Sequence, residues 1–139
     1  MINKVTYKDK NEYYRLGVLL NSKFKDLFNL DNLLDSSYDY IYGYYVDSLL
    51  VGFIHVNKLY EQMDIVNIVV DRNYRCQGIG SQLVLYVIKE FSDVSSIMLE
   101  VNENNDKAIN FYHNLNFKDI NIREKYYGLD NAIIMKRDV

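Results

Sequence analysis

Residues 68–81, Ile-Val-Val-Asp-Arg-Asn-Tyr-Arg-Cys-Gln-Gly-Ile-Gly-Ser, pass from an apolar strand through a tight turn into an amphipathic helix. Arg75, Gly78 and Gly80 make this an Arg-x-x-Gly-x-Gly turn. Unpaired backbone N–H groups at the positive end of a helix dipole can hold a pyrophosphate there, and glycines let the phosphates approach the backbone. A lone Gly-x-Gly is also common in ordinary turns, so the neighbouring elements decide its meaning.

Upstream, Asp64–Asp71 carries Ile65, Val66, Ile68, Val69 and Val70 with little alternation, as expected of a central strand buried on both faces, and Asn67 is its polar interruption. Tyr40–Val46 and Leu49–Leu59 read as a hairpin turned by Asp47-Ser48. Residues 10–34 carry helical spacing in Tyr14, Leu16, Leu19, Phe24 and Leu27 and predict one or two helices, preceded by strand-type residues 2–7. Downstream, Leu83, Val84, Val87, Ile88 and Phe91 describe one face of a helix that packs on a sheet. In the following strand Ile97, Leu99 and Val101 alternate with Met98, Glu100 and Asn102, so Glu100 stands on the opposite face from its apolar neighbours. Asn104-Asn105-Asp106 supplies helix-capping chemistry, and Ala108, Ile109, Tyr112 and Leu115 share a face of the next helix. Closing strands are expected at about Phe117–Tyr127 and Ala132–Lys136, with Gly128 and Asp130 between them.

A chain of 139 residues, 49% hydrophobic, fits one domain spanning 1–139 with a core covered on both sides of a sheet. No apolar run approaches the roughly 18–20 residues of a membrane span, and the N-terminus lacks the apolar core of a secretory signal, so a cytoplasmic protein with no membrane partner is expected. One cysteine, Cys76, and two distant histidines, His55 and His113, indicate neither a disulfide nor a metal site. A net charge of −3 with no Lys/Arg cluster argues against nucleic acid as a partner.

The ordered set of strand, Arg75-x-x-Gly78-x-Gly80, amphipathic helix, strand, and Asn105-x-x-Ala108-x-x-x-Tyr112-x-x-x-x-Phe117 resembles the GNAT superfamily of N-acetyltransferases across nearly the whole chain. Leu99-Glu100-Val101, the Asn105 helix, Arg123-x-x-Tyr126-Tyr127 and Asp130–Met135 look most like its RimI branch, the ribosomal-protein alanine N-acetyltransferases. The front half departs from that branch, having no Trp or Pro where a Pro-Trp-Ser segment usually stands. Gly128 follows the paired tyrosines where Pro is common, and Asn116 precedes Phe117 where the superfamily usually has Gly. The last change is physically mild, because Asn tolerates the left-handed conformation of a helix C-cap.

The resemblance implies an α/β fold with a central mixed, mostly antiparallel sheet of about seven strands and about four flanking helices. Its fourth and fifth strands, here 63–71 and 96–102, would splay apart to admit the pantetheine arm of acetyl-CoA, the co-substrate, with no metal. It further implies that main-chain groups of Ile68, Val69 and Val70 meet that arm, that Arg75, Cys76, Gln77, Gly78, Ile79, Gly80 and Ser81 hold the pyrophosphate, and that Asn105 contacts the arm.

Acetyl transfer requires a neutral amine, and a chain-terminal amine with a pKa of about 7.7–8.0 is nearer that state at neutral pH than a lysine at about 10.4. A modest base suffices for the former. Glu100 is the candidate base, directly or through water, with Asp64 an alternative and a solvated carboxylate the structural reading. A backbone N–H, here that of Val70, would face the negative charge that develops on the carbonyl oxygen. Tyr112, twelve residues after Glu100 as in the RimI pattern, is the candidate proton donor to the leaving thiolate, against the simpler reading of a core aromatic. Tyr126 and Tyr127 either pack in the last hairpin or hold the first residues of a peptide. Cys76 is better read as a surface thiol than as a nucleophile.

The acceptor stays open between a protein N-terminus, of ribosomal-protein alanine type, and a small amine such as a polyamine, amino acid or antibiotic. A third possibility is a coenzyme A-binding regulatory module without turnover. Direct transfer in a ternary complex is the expectation for the enzyme.

Overall fold

The quoted stretch owes its shape to the strand that precedes it. In the computed structural model, which describes residues 1–126 and 128–139, Tyr127 lies outside the described residues. The strands are β1 (Ile2–Lys4), β2 (Asp39–Val46), β3 (Leu49–Leu59), β4 (Gln62–Val70), β5 (Ser96–Asn102), β6 (Lys118–Tyr127) and β7 (Asp130–Asp138). Helices α1 (Lys10–Gly17), α2 (Phe24–Leu27) and α3 (Leu30–Asp35) precede β2, α4 (Ile79–Glu90) joins β4 to β5, and α5 (Asp106–Asn114) joins β5 to β6. Among the described residues the strands form one sheet in the order β1-β2-β3-β4-β5-β7-β6. β4 and β5 run parallel, as a helical crossover demands, and every other neighbouring pair is antiparallel.

Alternation along β3 sorts the core into two layers. Ile54 and Val56 point to one face, where Leu83, Val84 and Val87 of α4 meet Met63, Ile97 and Leu99. Phe53 points to the other, against Tyr13 and Leu16 of α1, Phe24, Leu30 and Val69. Each of these fully buried aliphatic or aromatic side chains contributes about 1.5–3 kcal/mol of burial, which is what clamps the helices to the sheet.

The region predicted as one or two helices over 10–34 divides into three short ones. Two asparagines explain the breaks: Asn21 Oδ1 accepts from the Lys23 N–H at 2.9 Å, and Asn29 Oδ1 accepts from the Asn32 N–H at 3.0 Å, capping α3. Asn116 adopts φ +68°, the left-handed position expected of it after α5.

β4 departs from a doubly buried central strand. Met63 and Ile65 are buried toward α4, whereas Asp64 and Val66 are exposed. Two features cause this. The β3–β4 register shifts between His55↔Asn67 and Val56↔Ile65, so Val66 is an extra, bulged residue that bends the strand. And β4 pairs with β5 through Gln62↔Ser96, Met63↔Ile97 and Asp64↔Met98, with no further β4–β5 pair among the described residues. Beyond Asp64 the strands part, leaving a gap in the middle of the sheet.

Candidate active site

The turn after β4 is built from its first residue. Asp71, itself buried, accepts from the Asn73 N–H at 3.0 Å and from Arg15 Nη1 of α1 at 2.8 Å. The Asn73 N–H and then the Arg15 guanidinium hold the Asp71 carboxyl below its usual range. Arg75 turns back and donates from Nε to the Val70 carbonyl at 3.0 Å. Cys76 and Gly78 both take left-handed conformations, φ +61° and +79°, the second of which suits glycine.

Gly78 caps α4, and the Gly78 carbonyl accepts from the Gln82 N–H at 3.0 Å, so the N–H groups of Ile79, Gly80 and Ser81 precede the first intrahelical bond. They edge a cavity of about 390 Å³ lined by Ile68, Val69, Val70, Arg75, Cys76, Gly78, Ile79, Gly80 and Ser81, with Leu20, Tyr74 and Phe111. Gln77, grouped with them on sequence, does not line it. A Cβ on Gly80 would come within 3.2–3.3 Å of the Phe111 ring, so any larger residue there would press on α5. This donor set fits a diphosphate: backbone N–H groups, an arginine alongside, and no carboxylate among the lining residues.

The gap between β4 and β5 offers main-chain partners. The Asp71 N–H donates to the Val51 carbonyl at 2.7 Å, so the antiparallel alternation turns the N–H and C=O of Ile68 and Val70 away from β3 and into the gap. One of these groups, the Val70 carbonyl, already accepts from Arg75. An extended, amide-bearing arm can pair with such an edge as an added strand does.

Two further cavities meet at Glu100. One, about 470 Å³, lies in the gap and is lined by Asn67, Ile68, Glu100, Asn105, Ala108 and Tyr112, with Phe24 and Phe28 across from them. The other, about 450 Å³, is a groove between β4 and the β6–β7 hairpin, lined by Gln62, Asp64, Val66, Met98, Glu100, Arg123, Tyr126 and Ile134. The alternating burial of β5 places Glu100 on the open face, as its sequence pattern predicts. Its Oε1 lies 2.9 Å from Arg123 Nη2, and Tyr126 donates its hydroxyl proton to the same carboxylate. The charge of Glu100, with burial second, pushes the Tyr126 phenol above its usual value, and the Arg123 guanidinium sits 4.8 Å from the Tyr126 ring centroid.

Tyr112 is both core aromatic and cavity wall. It is buried, with edge contacts to Phe111 and Phe117 at 5.1 and 5.5 Å, and lines the cavity that Glu100 lines. Asn105 caps α5 through its Oδ1, which accepts from the Ala108 N–H at 3.2 Å, and lines that cavity too. Asp64 lines the groove and not the Tyr112 cavity, so of the two carboxylates Glu100 alone borders both. Cys76 is exposed and lines neither space. Among the described residues no group of three His, Cys, Asp or Glu side chains could hold a metal ion, and no helix is long and apolar enough to cross a membrane.

Several contributors escaped the sequence reading. Arg123 as partner of Glu100, Arg15 as anchor of Asp71, Phe111 against Gly80 and Asn67 in the cleft wall all depend on pairings between distant segments. Of these, the signal that could have been used was Asn67, a polar residue in an otherwise apolar strand.

The model of the acetyltransferase (GNAT) family matches residues 5–117. The alanine N-acetyltransferase of ribosomal protein bS18 from Escherichia coli is 34% identical over 92 residues, 62% of this chain and 62% of that protein; the match spans less than two thirds of this curated relative. The crystal structure of the Escherichia coli ribosomal-protein alanine N-acetyltransferase superposes with a TM-score of 0.83 at 22% identity, covering 100% of this chain and 93% of that one. A GNAT family acetyltransferase from Elizabethkingia anophelis, crystallised with acetyl-CoA bound, gives 0.84 at 20% identity, covering 100% and 97%.

Proposed function

Because this chain belongs to the acetyltransferase (GNAT) family, we propose that it is an N-acetyltransferase that moves the acetyl group of acetyl-CoA to the N-terminal α-amine of a protein, by direct attack in a ternary complex in the cytoplasm. A ribosomal-protein N-terminus beginning with alanine is the leading acceptor, as in the bS18-modifying relative. The observation that carries the proposal is the position of Glu100, whose side chain borders both the gap that receives the coenzyme arm and the groove that receives the acceptor.

Acetyl-CoA supplies an activated acetyl group. The amides from Cys76 to Ser81, Gln77 included, bind its diphosphate with Arg75 at their side, and the gap-facing main chain of Ile68 and Val70, with Val69 and Asn105 against it, aligns its arm. The Val70 N–H points to where oxygen-centred negative charge develops, pre-set in direction by the strand. Arg123 and Tyr126 hold the Glu100 carboxylate in one orientation, and from there it takes the proton of the attacking amine, directly or through one water. Tyr112 gives the phenolic proton to the departing sulfur. Its buried ring fixes the hydroxyl's direction. Tyr126 forms the hairpin wall along which the acceptor's first residues lie.

A groove bounded by strand edges suits an extended peptide better than a compact amine. The test is mass spectrometry of peptides and small amines incubated with acetyl-CoA. Acetylation of Ala-terminal peptides, lost when the terminus is blocked though lysines remain, is expected. Acetylation of small amines alone, or of none, contradicts the proposal.

A further inference from the structure

Behind the cleft wall sits a buried histidine, paired with a half-buried carboxylate, that the chemistry above does not use. His55 of β3 is 1% exposed, and its Nε2 lies 2.8 Å from Asp39 Oδ1 of β2. Asp39 also accepts from Asn57 Nδ2 at 3.2 Å and from the Ser36 hydroxyl. A carboxylate only accepts hydrogen bonds, so the proton of a neutral His55 is on Nε2 and its Nδ1 carries a lone pair. Burial favours the neutral ring, against the pull of Asp39. That Nδ1 is buried with no hydrogen-bond partner among the described residues.

The residue directly opposite His55 on β4 is Asn67, on the same face of the sheet. Its Nδ2 is likewise buried and without a partner among the described residues. An orphaned acceptor and an orphaned donor therefore belong to one cross-strand pair, and Cβ atoms so paired stand about 5 Å apart, close enough for a small rotation or a single water to join the two groups. Two such groups left unjoined would each be costly in a dry interior. The same demand selects an amide orientation: nitrogen toward His55, which leaves the oxygen for the cavity that Asn67 lines with Glu100 and Tyr112.

We infer that Asn67 is an acceptor-binding residue, its side-chain oxygen receiving an N–H of the incoming amine where that amine passes Glu100 from the groove into the coenzyme gap, and that Asp39 and His55 position it from behind. The inference rests on the proposed N-acetyltransferase function. Once a small rotation or one water joins Asn67 to His55, donors run in one direction: His55 Nε2–H to Asp39, Asn67 Nδ2–H toward His55 Nδ1, acceptor N–H to Asn67 Oδ1. With Glu100 on the neighbouring strand, it gives the amine two oxygen acceptors on one wall of the cleft.

Asn67→Leu keeps the volume and removes both ends of the amide. Its KM for the acceptor peptide should rise about tenfold, with smaller changes in kcat and in coenzyme A affinity by calorimetry. His55→Phe, which preserves the edge contact with Phe28, should raise the same KM, and the double variant should be no worse than Asn67→Leu alone, because both act on one interaction. Long-range 1H–15N spectra of the imidazole give a readout independent of activity: the Nε2–H tautomer, with an Nδ1 resonance that moves in Asn67→Leu and not in Tyr13→Phe. Tyr13 is the control because its hydroxyl is also buried without a partner among the described residues. An unmoved KM in Asn67→Leu, additive single effects, an Nδ1–H tautomer, or an Nδ1 resonance that follows Tyr13 instead would each overturn the inference. A wild type inactive on every amine would overturn the function and this inference with it, and is told apart because no variant enters that assay.

Discussion

Asp71 is where packing meets the proposed coenzyme site, so its substitution is the most informative perturbation of the turn. Two interactions hold it: the cap to the Asn73 N–H and the ion pair with Arg15. Losing an N-cap costs about 1 kcal/mol. The ion pair contributes about 0.5 kcal/mol, because the Arg15 side chain is 42% exposed and solvent screens it. Asp71→Ala should therefore lose about 1.5 kcal/mol, or about 5 °C in Tm for a chain of this size. Asp71→Asn keeps the cap and should lose about 0.5 kcal/mol and about 2 °C. Coenzyme affinity should follow the cap, because the Arg72–Tyr74 turn leads into the amides proposed to bind the diphosphate: a drop of about fivefold for Asp71→Ala and under about twofold for Asp71→Asn, read by titration calorimetry. The pH dependence has a definite sign. The folded carboxyl is held below its unfolded value of about 3.9, so the stability it contributes is present above that pH and disappears as pH falls through the folded value. If Asp71→Asn is as damaging as Asp71→Ala, or if neither variant alters coenzyme affinity, the turn is not organised by this cap.

Further outcomes follow from the same geometry. Tyr112→Phe keeps the buried ring and removes the hydroxyl, so turnover should fall by about 100-fold while coenzyme affinity stays near wild type; unchanged turnover would remove Tyr112 as the acid. Glu100→Gln should change the shape of the pH–rate profile, and an identical profile would assign the base role elsewhere. Asn116→Gly should be neutral or stabilising, whereas Asn116→Val should cost about 1–2 kcal/mol at φ +68°, both read by urea unfolding. His55 has its folded pKa lowered by burial, so stability should decline as pH drops below the unfolded value of about 6.5, and His55→Phe should flatten that decline.

Much of this arrangement is legible from local sequence because its signals are local. The period-two pattern around Glu100 places it on the open face, since a strand's side chains alternate whatever the strand pairs with. The left-handed glycine at 78 and the capping Asn105 are likewise settled within a few residues. What the sequence does not disclose is set by pairing between distant segments. Nothing near Val66 announces a bulge, because a bulge is a mismatch of two strands, and the exposure of Asp64 and Val66 follows from β5 leaving them unpaired. Arg123 lies over Glu100 through the β5–β7–β6 order, and Arg15 reaches Asp71 from 56 residues away. Asn21 and Asn29 break the first helical region where apolar periodicity alone allows a longer run, because their side chains take the amides that would continue it.

The central claim is that the gap between β4 and β5 and the amides at the start of α4 form one coenzyme site. A titration of coenzyme A followed through backbone amide resonances tests it most directly. The account predicts shifts concentrated at Ile68, Val70 and residues 76–81, with β1 and the β1-facing edge of β2 unmoved. Saturating coenzyme that leaves those amides unshifted, or shifts them no more than the distant sheet edge, would contradict it.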